Sequence, residues 1–133
     1  MSLICSISDR LYRDFRLPTF VLVDADPYGI EIMCVYRYGS LSMAYSAEAT
    51  AVPDMKWMGL LPSDLDDGLD GEVRPFSASD AAKCRALMKR PYMTGALHHQ
   101  VETLARRGLK AELQSLGSPS DYIIHQLISG RWI

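Results

Sequence analysis

The sequence predicts an α/β domain in which parallel strands are flanked by helices. Three observations carry this. An apolar run at 19–25, TFVLVDA, leads straight into helix-start signals. A second apolar run, DMKWMGLL at 54–61, follows further along. Most of what remains carries helical signals, and a strand–helix–strand order lays its two strands side by side and parallel.

Each element has a local cause. Residues 8–16, SDRLYRDFR, read as the tail of a helix, with Leu11 and Phe15 at i and i+4 and Pro18 closing it. Val21, Leu22 and Val23 are continuously apolar, as a strand buried on both faces requires. Asp26 stands where a helix cap is needed, and Pro27 falls in the first turn, where a missing N–H costs nothing. Ile30, Met33 and Cys34 form the apolar stripe of that helix, and Gly39 stops it. The stretch at 40–54, SLSMAYSAEATAVPD, is looser, and the second strand ends at Pro62.

Residues 62–80, PSDLDDGLDGEVRPFSASD, are polar and rich in Gly and Pro, which predicts a surface loop. Ser77 or Ser79 caps a helix over 80–90, ended by Pro91. A longer helix starts near Gly95–Leu97 and is interrupted at Gly108. GLKAELQSL at 108–116 either continues it or starts another, with Lys110 and Glu112 at surface positions. DYIIHQLI at 121–128 is the last apolar segment, with His125 partly buried on a helix. Only two convincing strands are visible, and a two-stranded sheet is marginal by itself. The chain reads as the second part of something larger.

Composition narrows the class. At 133 residues, with 48% hydrophobic and 23% charged, this is one globular domain with a real core. The longest mainly apolar stretch, 17–36, is broken by Asp24, Asp26 and Glu31, so nothing reaches the ~18 residues of a membrane span. The N-terminus does not resemble a signal peptide. Cys5, Cys34 and Cys84 are odd in number and widely spaced, which points to reduced, mostly buried thiols. The net charge of −2 gives no hint of a polyanionic partner, but its distribution is uneven. From Asp54 to Asp80 there are seven acids and two bases; from Lys83 to Lys110, seven bases and one acid. A basic half of that kind either holds a nucleic-acid backbone or is a solvated helix face.

The chemistry concentrates at Asp24 and Asp26. Side chains at i and i+2 of a strand share a side, so the two carboxylates can converge beyond its carboxyl end, where open α/β sheets bind ligands. Two such groups repel unless something positive lies between them. Hard paired oxygens suit Mg²⁺; alternatively Asp26 is only a cap and Asp24 pairs with an arginine. His98 and His99 are adjacent, so on a helix they point ~100° apart and make no natural ligand pair. No cysteine has a plausible catalytic His spacing, and neither G-x-S-x-G nor a P-loop occurs.

Several blocks together carry a resemblance: DADPYGIEI (24–32), YGS (38–40), VPDMKWMGLLPSDL (52–65), KRPY (89–92), GLKAELQSL (108–116) and GRWI (130–133). From about Leu11 to Ile133 the chain resembles the metal-binding half of the Toprim domain in the family that joins the DNA-cleaving A chain of topoisomerase VI with the meiotic double-strand-break proteins. The resemblance implies a Toprim-like Rossmannoid fold, incomplete at its N-terminal side, with residues 1–133 as the C-terminal part of the domain. It implies a Mg²⁺-assisted transesterification in meiotic recombination, in which a tyrosine attacks a DNA phosphodiester. Asp24 and Asp26 match the family's metal ligands, and Lys83, Arg85, Lys89, Arg90, Arg106, Arg107 and Lys110 become the residues expected to hold the DNA backbone. It further implies double-stranded DNA as partner, a homodimer, a nuclear location and a topoisomerase VI B-like subunit. The family's nucleophilic tyrosine lies in an upstream winged-helix domain and its Toprim glutamate on an upstream strand; neither maps onto Tyr12, Glu31 or any other residue here. The chain alone is therefore expected not to cut DNA. The contrasting reading is a non-catalytic α/β module that binds metal, DNA or protein.

Overall fold

A computed structural model describes residues 14–15, 17–39, 54–66 and 73–133. The first strand, β1 (Phe20–Leu22), and the second, β2 (Lys56–Gly59), pair in parallel, Phe20 opposite Lys56 and Val21 opposite Trp57. Between them lies α1 (Pro27–Tyr38), begun by Asp26, whose side chain accepts the Gly29 N–H, and ended at Gly39. A cap of this kind is worth about 1 kcal/mol. The expected strand–helix–strand unit is therefore present. Of the helix expected over 8–16, only 14–15 lie among the described residues, and they are helical. The looser stretch at 40–53 and Cys5 lie outside them.

The remaining chain supplies α2 (Ala78–Met88), α3 (Gly95–Arg107) and α4 (Pro119–Ser129). Of the two candidate caps for α2, Ser77 is used: its hydroxyl accepts the Asp80 N–H while Asp80 accepts the Ser77 N–H, a reciprocal capping box. None of the helices is long and apolar enough to cross a membrane, among the described residues.

The strand pair is packed on both faces. Val21 and Val23 turn toward Ile30, Met33, Cys34, Trp57, Leu87, Leu97, Val101 and Leu104, the main core under α1, α2 and α3. Leu22 turns the other way, toward Leu60, Ala111 and Tyr122. This period-2 alternation explains why the run is apolar throughout. Cys34 and Cys84 are free and buried in the main core, as expected; burial pushes the Cys34 thiol up to about 11. At the outer edge of β2, the Trp57 N–H donates to the Ile133 carbonyl (2.8 Å) and the Ile133 N–H returns to Trp57 (3.0 Å). The last residue of the chain is thereby fastened to the free edge of β2.

Three expectations need correction. Residues 62–80 are not loop throughout: Pro62–Asp66 form a 3-10 turn and Val73–Pro75 a strand, β3. GLKAELQSL forms no α-helix. Gly108 adopts a left-handed conformation (φ 62°) that ends α3, and Leu109–Ala111 become β4, antiparallel to β3, followed by a 3-10 turn at Leu113–Ser115. Lys110 and Glu112 accordingly lie on and just after a strand. His125 is exposed rather than partly buried, because α4 rests on Tyr122 and Gln126 instead.

Those two residues explain how Asp64 is buried in a stretch that reads as surface. Its carboxylate accepts the Tyr122 hydroxyl (2.9 Å), the Gln126 amide (2.9 Å) and the Arg131 guanidinium (3.2 Å). The Leu61 N–H in turn reaches the Tyr122 oxygen. Tyr122→Phe is expected to lower stability by about 1–3 kcal/mol, since it strips a donor from a buried carboxylate and an acceptor from a buried N–H. Urea unfolding checks this; an unchanged midpoint would show the network to be dispensable.

Candidate metal centre

Asp24 and Asp26 flank the point where the chain changes partner. Up to Val23 it belongs to β2, with the Val23 N–H on the Gly59 carbonyl and the Leu60 N–H on the Val23 carbonyl, both 2.7 Å. At Ala25 it pairs antiparallel with Ala111, through N–H···O bonds of 2.9 and 3.2 Å. Helix α1 then begins. Both acids thus stand beyond the carboxyl end of a parallel strand, on backbone held from two sides.

Each carboxylate is pinned by one oxygen. Asp24 Oδ1 accepts the Leu113 N–H (2.7 Å), so the arginine considered as its partner is not the group that holds it. Asp26 Oδ1 accepts the Gly29 N–H (2.5 Å). Among the described residues, the second oxygen of each takes no hydrogen bond. Gly29 is required by space rather than by its dihedral angles: a Cβ there would meet the Asp24 carbonyl at 2.5 Å and Asp26 Oδ1 at 3.2 Å. The D-A-D-P-Y-G order thus reads as cap, first-turn proline and a glycine thin enough to let the strand end close over the helix start.

The surroundings of Asp26 disfavour its charged form. Burial, first, raises the Asp26 carboxyl; the Gly29 N–H pulls it back, the charge of Asp24 raises it further, and Lys110 and Asp80 act in opposite senses. The positive group nearby is Lys110, whose amine lies 2.6 Å from Asp80 Oδ2. Burial pushes the Asp80 carboxyl up, but Lys110 and the Ser77 donors outweigh it and hold it below its usual value. No group of three or more His, Cys, Asp or Glu side chains poised for a metal occurs among the described residues. The donor set fits a hard divalent cation that retains several waters: two carboxylates, each fixed by a backbone N–H, each with an oxygen to spare.

Residues 6–131 match the family model for the Toprim domain shared by Spo11 and the A-type chain of topoisomerase 6. The chain belongs to that Toprim family. Relatives include the mouse and human meiotic recombination protein SPO11, each 40% identical over 134 residues, covering 93% of this chain and 34% of the relative. The A-type chain of DNA topoisomerase 6 from Arabidopsis thaliana is 31% identical over 113 residues, covering 82% of this chain and 26% of its own length. The Toprim chain thus spans about a third of the length of the SPO11 relatives it matches.

The seven bases singled out in this Toprim chain are spread over α2 and the residues just past it, the end of α3, and β4. The Phe76 N–H donates to the Gly108 carbonyl, so the start of α2 meets the end of α3. That junction also carries the Lys110–Asp80 pair beside the acids. Arg106 and Arg107 end α3 there, Arg106 exposed and Arg107 bonded to the Pro62 carbonyl (3.0 Å). Lys83 lies within α2, engaged by Glu31 at 2.7 Å and set over the Tyr28 ring. Tyr28 also bonds Ser79, tying the starts of α1 and α2 together. Lys89 and Arg90 fall past the far end of α2, about 16 Å along an 11-residue helix. Arg85 is exposed between these ends. Asp80 went unnoticed in the sequence because it reads as an ordinary first-turn acid of α2; only its pairing with a residue 30 positions away marks it.

Proposed function

We propose that this Toprim chain is the metal-holding part of a topoisomerase VI A-like DNA double-strand-break transesterase acting in meiotic recombination. The observation that carries the reading is the pair Asp24 and Asp26, each fixed through one oxygen and offering the other, on a backbone switch beyond β1. Mg²⁺ held by these residues would supply a Lewis acid for the phosphate and the leaving oxygen of the DNA strand. The chain's own part is to orient those oxygens: the Leu113 and Gly29 N–H groups fix the carboxylates, and Gly29 keeps the loop tight. The attacking tyrosine is assigned to an upstream winged-helix domain and a third acid to an upstream strand, as the resemblance implies. The partners that go with this reading are double-stranded DNA, a second copy of the protein and a topoisomerase VI B-like subunit; the nucleus is its location. The names of the relatives, meiotic recombination protein and DNA topoisomerase 6, support it.

The deciding assay uses the full-length product of the gene with supercoiled DNA and Mg²⁺. Tyrosine-dependent covalent attachment of protein to the 5′ ends is the expected result. Mg²⁺ and DNA binding without any covalent linkage would leave a binding module instead.

Among the seven bases, Arg106 is exposed at the acidic end, whereas Lys83, Arg107 and Lys110 already have partners. Arg106→Glu is therefore expected to weaken sequence-independent DNA binding several-fold and to flatten its salt dependence by about one unit of slope. Charge reversal at Lys89, about 16 Å away, should matter less. Fluorescence anisotropy across a salt series checks both, and equal losses at the two positions would overturn the assignment.

A further inference from the structure

We propose that Lys110 is a built-in counter-ion of the Asp24–Asp26 centre, pinned by Asp80, and that it sets how tightly the centre takes a divalent cation. The inference rests on the metal reading above and adds a residue that acts on the carboxylates without binding the ion.

The placement follows from register. Ala25 and Ala111 exchange two backbone hydrogen bonds, an antiparallel pair. One step outward in each direction, Asp26 comes to lie across from Lys110 and Asp24 across from Glu112, and flanking positions of this kind bring side chains close. The side chain of Lys110 bonds neither acid directly. Its amine goes to Asp80 Oδ2 at 2.6 Å. That oxygen also accepts the Ser77 N–H (2.8 Å) and hydroxyl (3.0 Å), and the Asp80 side chain is only 4% exposed. A carboxylate locked into a helix cap cannot follow the lysine, so it holds the amine in place.

The consequence is competition. A fixed ammonium across from Asp26 offsets the repulsion between Asp26 and Asp24 and, to the same extent, lowers the attraction of the centre for a second cation. Asp80 matters through position, because it keeps the ammonium from closing onto Asp26.

The test is calorimetric titration of the 133-residue chain with Mg²⁺, and with Mn²⁺ as a second probe. Lys110→Met is expected to tighten binding about tenfold, the effect of removing one charge across several ångströms of partly solvated space. Lys110→Arg should restore wild-type affinity. Lys110→Gln, which keeps a donor for Asp80, should tighten binding as Lys110→Met does and serves if the methionine variant fails to fold. Asp80→Asn should weaken binding several-fold by releasing the amine toward Asp26. A merely structural role would move the Lys110 and Asp80 variants in one direction. Weaker or unchanged binding in both neutral Lys110 variants, with wild type still binding, overturns this inference alone. Absence of binding in the wild-type chain overturns the metal reading and this inference with it.

Discussion

Asp26→Asn is expected to reduce Mg²⁺ affinity at least tenfold while the chain stays folded. The two roles of this side chain separate in that variant. As a cap it needs only an oxygen for the Gly29 N–H, and asparagine caps as well as aspartate. As a ligand it needs charge, and the amide has none. Stability should hold or rise slightly at neutral pH. A carboxyl whose proton is held more tightly in the fold is one whose ionised form the fold disfavours, and burial and Asp24 raise this one. Neutralising it removes that cost, which is the usual exchange between function and stability at a charged site. Asp26→Ala removes the cap as well and should cost about 1 kcal/mol. Asp24→Asn should likewise lose affinity while keeping its bond from Leu113. Titration calorimetry alongside thermal melting reads both quantities. Equal binding heats in wild type and Asp26→Asn would remove the metal assignment.

Trp57→Ala is expected to cost about 3–5 kcal/mol, much of the total stability of a domain this size. Trp57 is fully buried in the middle of β2, between Val21 on one side and Ile133 on the other. Its ring fills the main core under α1 and α3, and its indole N–H reaches the Gly59 carbonyl at 3.2 Å. No neighbour can collapse into a hole of that size without moving the strand that carries the Gly59 and Val23 contacts. Any Mg²⁺ binding at Asp24 and Asp26 should therefore be lost with the fold. Urea unfolding followed by far-ultraviolet circular dichroism measures the change, with Trp57→Phe as a milder companion. A loss below about 1 kcal/mol would place the stability of the domain elsewhere than in this cluster.

How far the site was legible can be followed residue by residue. The cap at Asp26, the proline at 27 and the stop at Gly39 lie within one helix and its edges, and each is a short-range signal. Ser77 capping α2 is another, although only the structure chose it over Ser79. The buried strand at 20–22 was visible because both of its faces are covered and so both are apolar. How the basic residues of 83–110 are spread was not legible, because sequence proximity does not follow a helix around its axis or along its length: Lys89 lies just past the end of α2, and Arg106 lies in the last turn of α3 beside the start of α2.

By itself, then, the sequence determined the parallel strand pair, the helix starts and stops, the two candidate ligands and, through its combined blocks, the family. All of these are written in residues a few positions apart, where backbone preference and side-chain period act directly. Only the tertiary structure decided that 109–111 is a strand, since three residues have too little period to read and gain their hydrogen bonds from β3. It alone brought Leu113 to Asp24, 89 positions apart, and Lys110 to Asp80, 30 apart. It alone gave buried Asp64 its donors. Charges and donors separated in the chain become partners only once the apolar faces of the helices have closed on the sheet, because burial is what makes an unpaired polar group costly and its pairing specific.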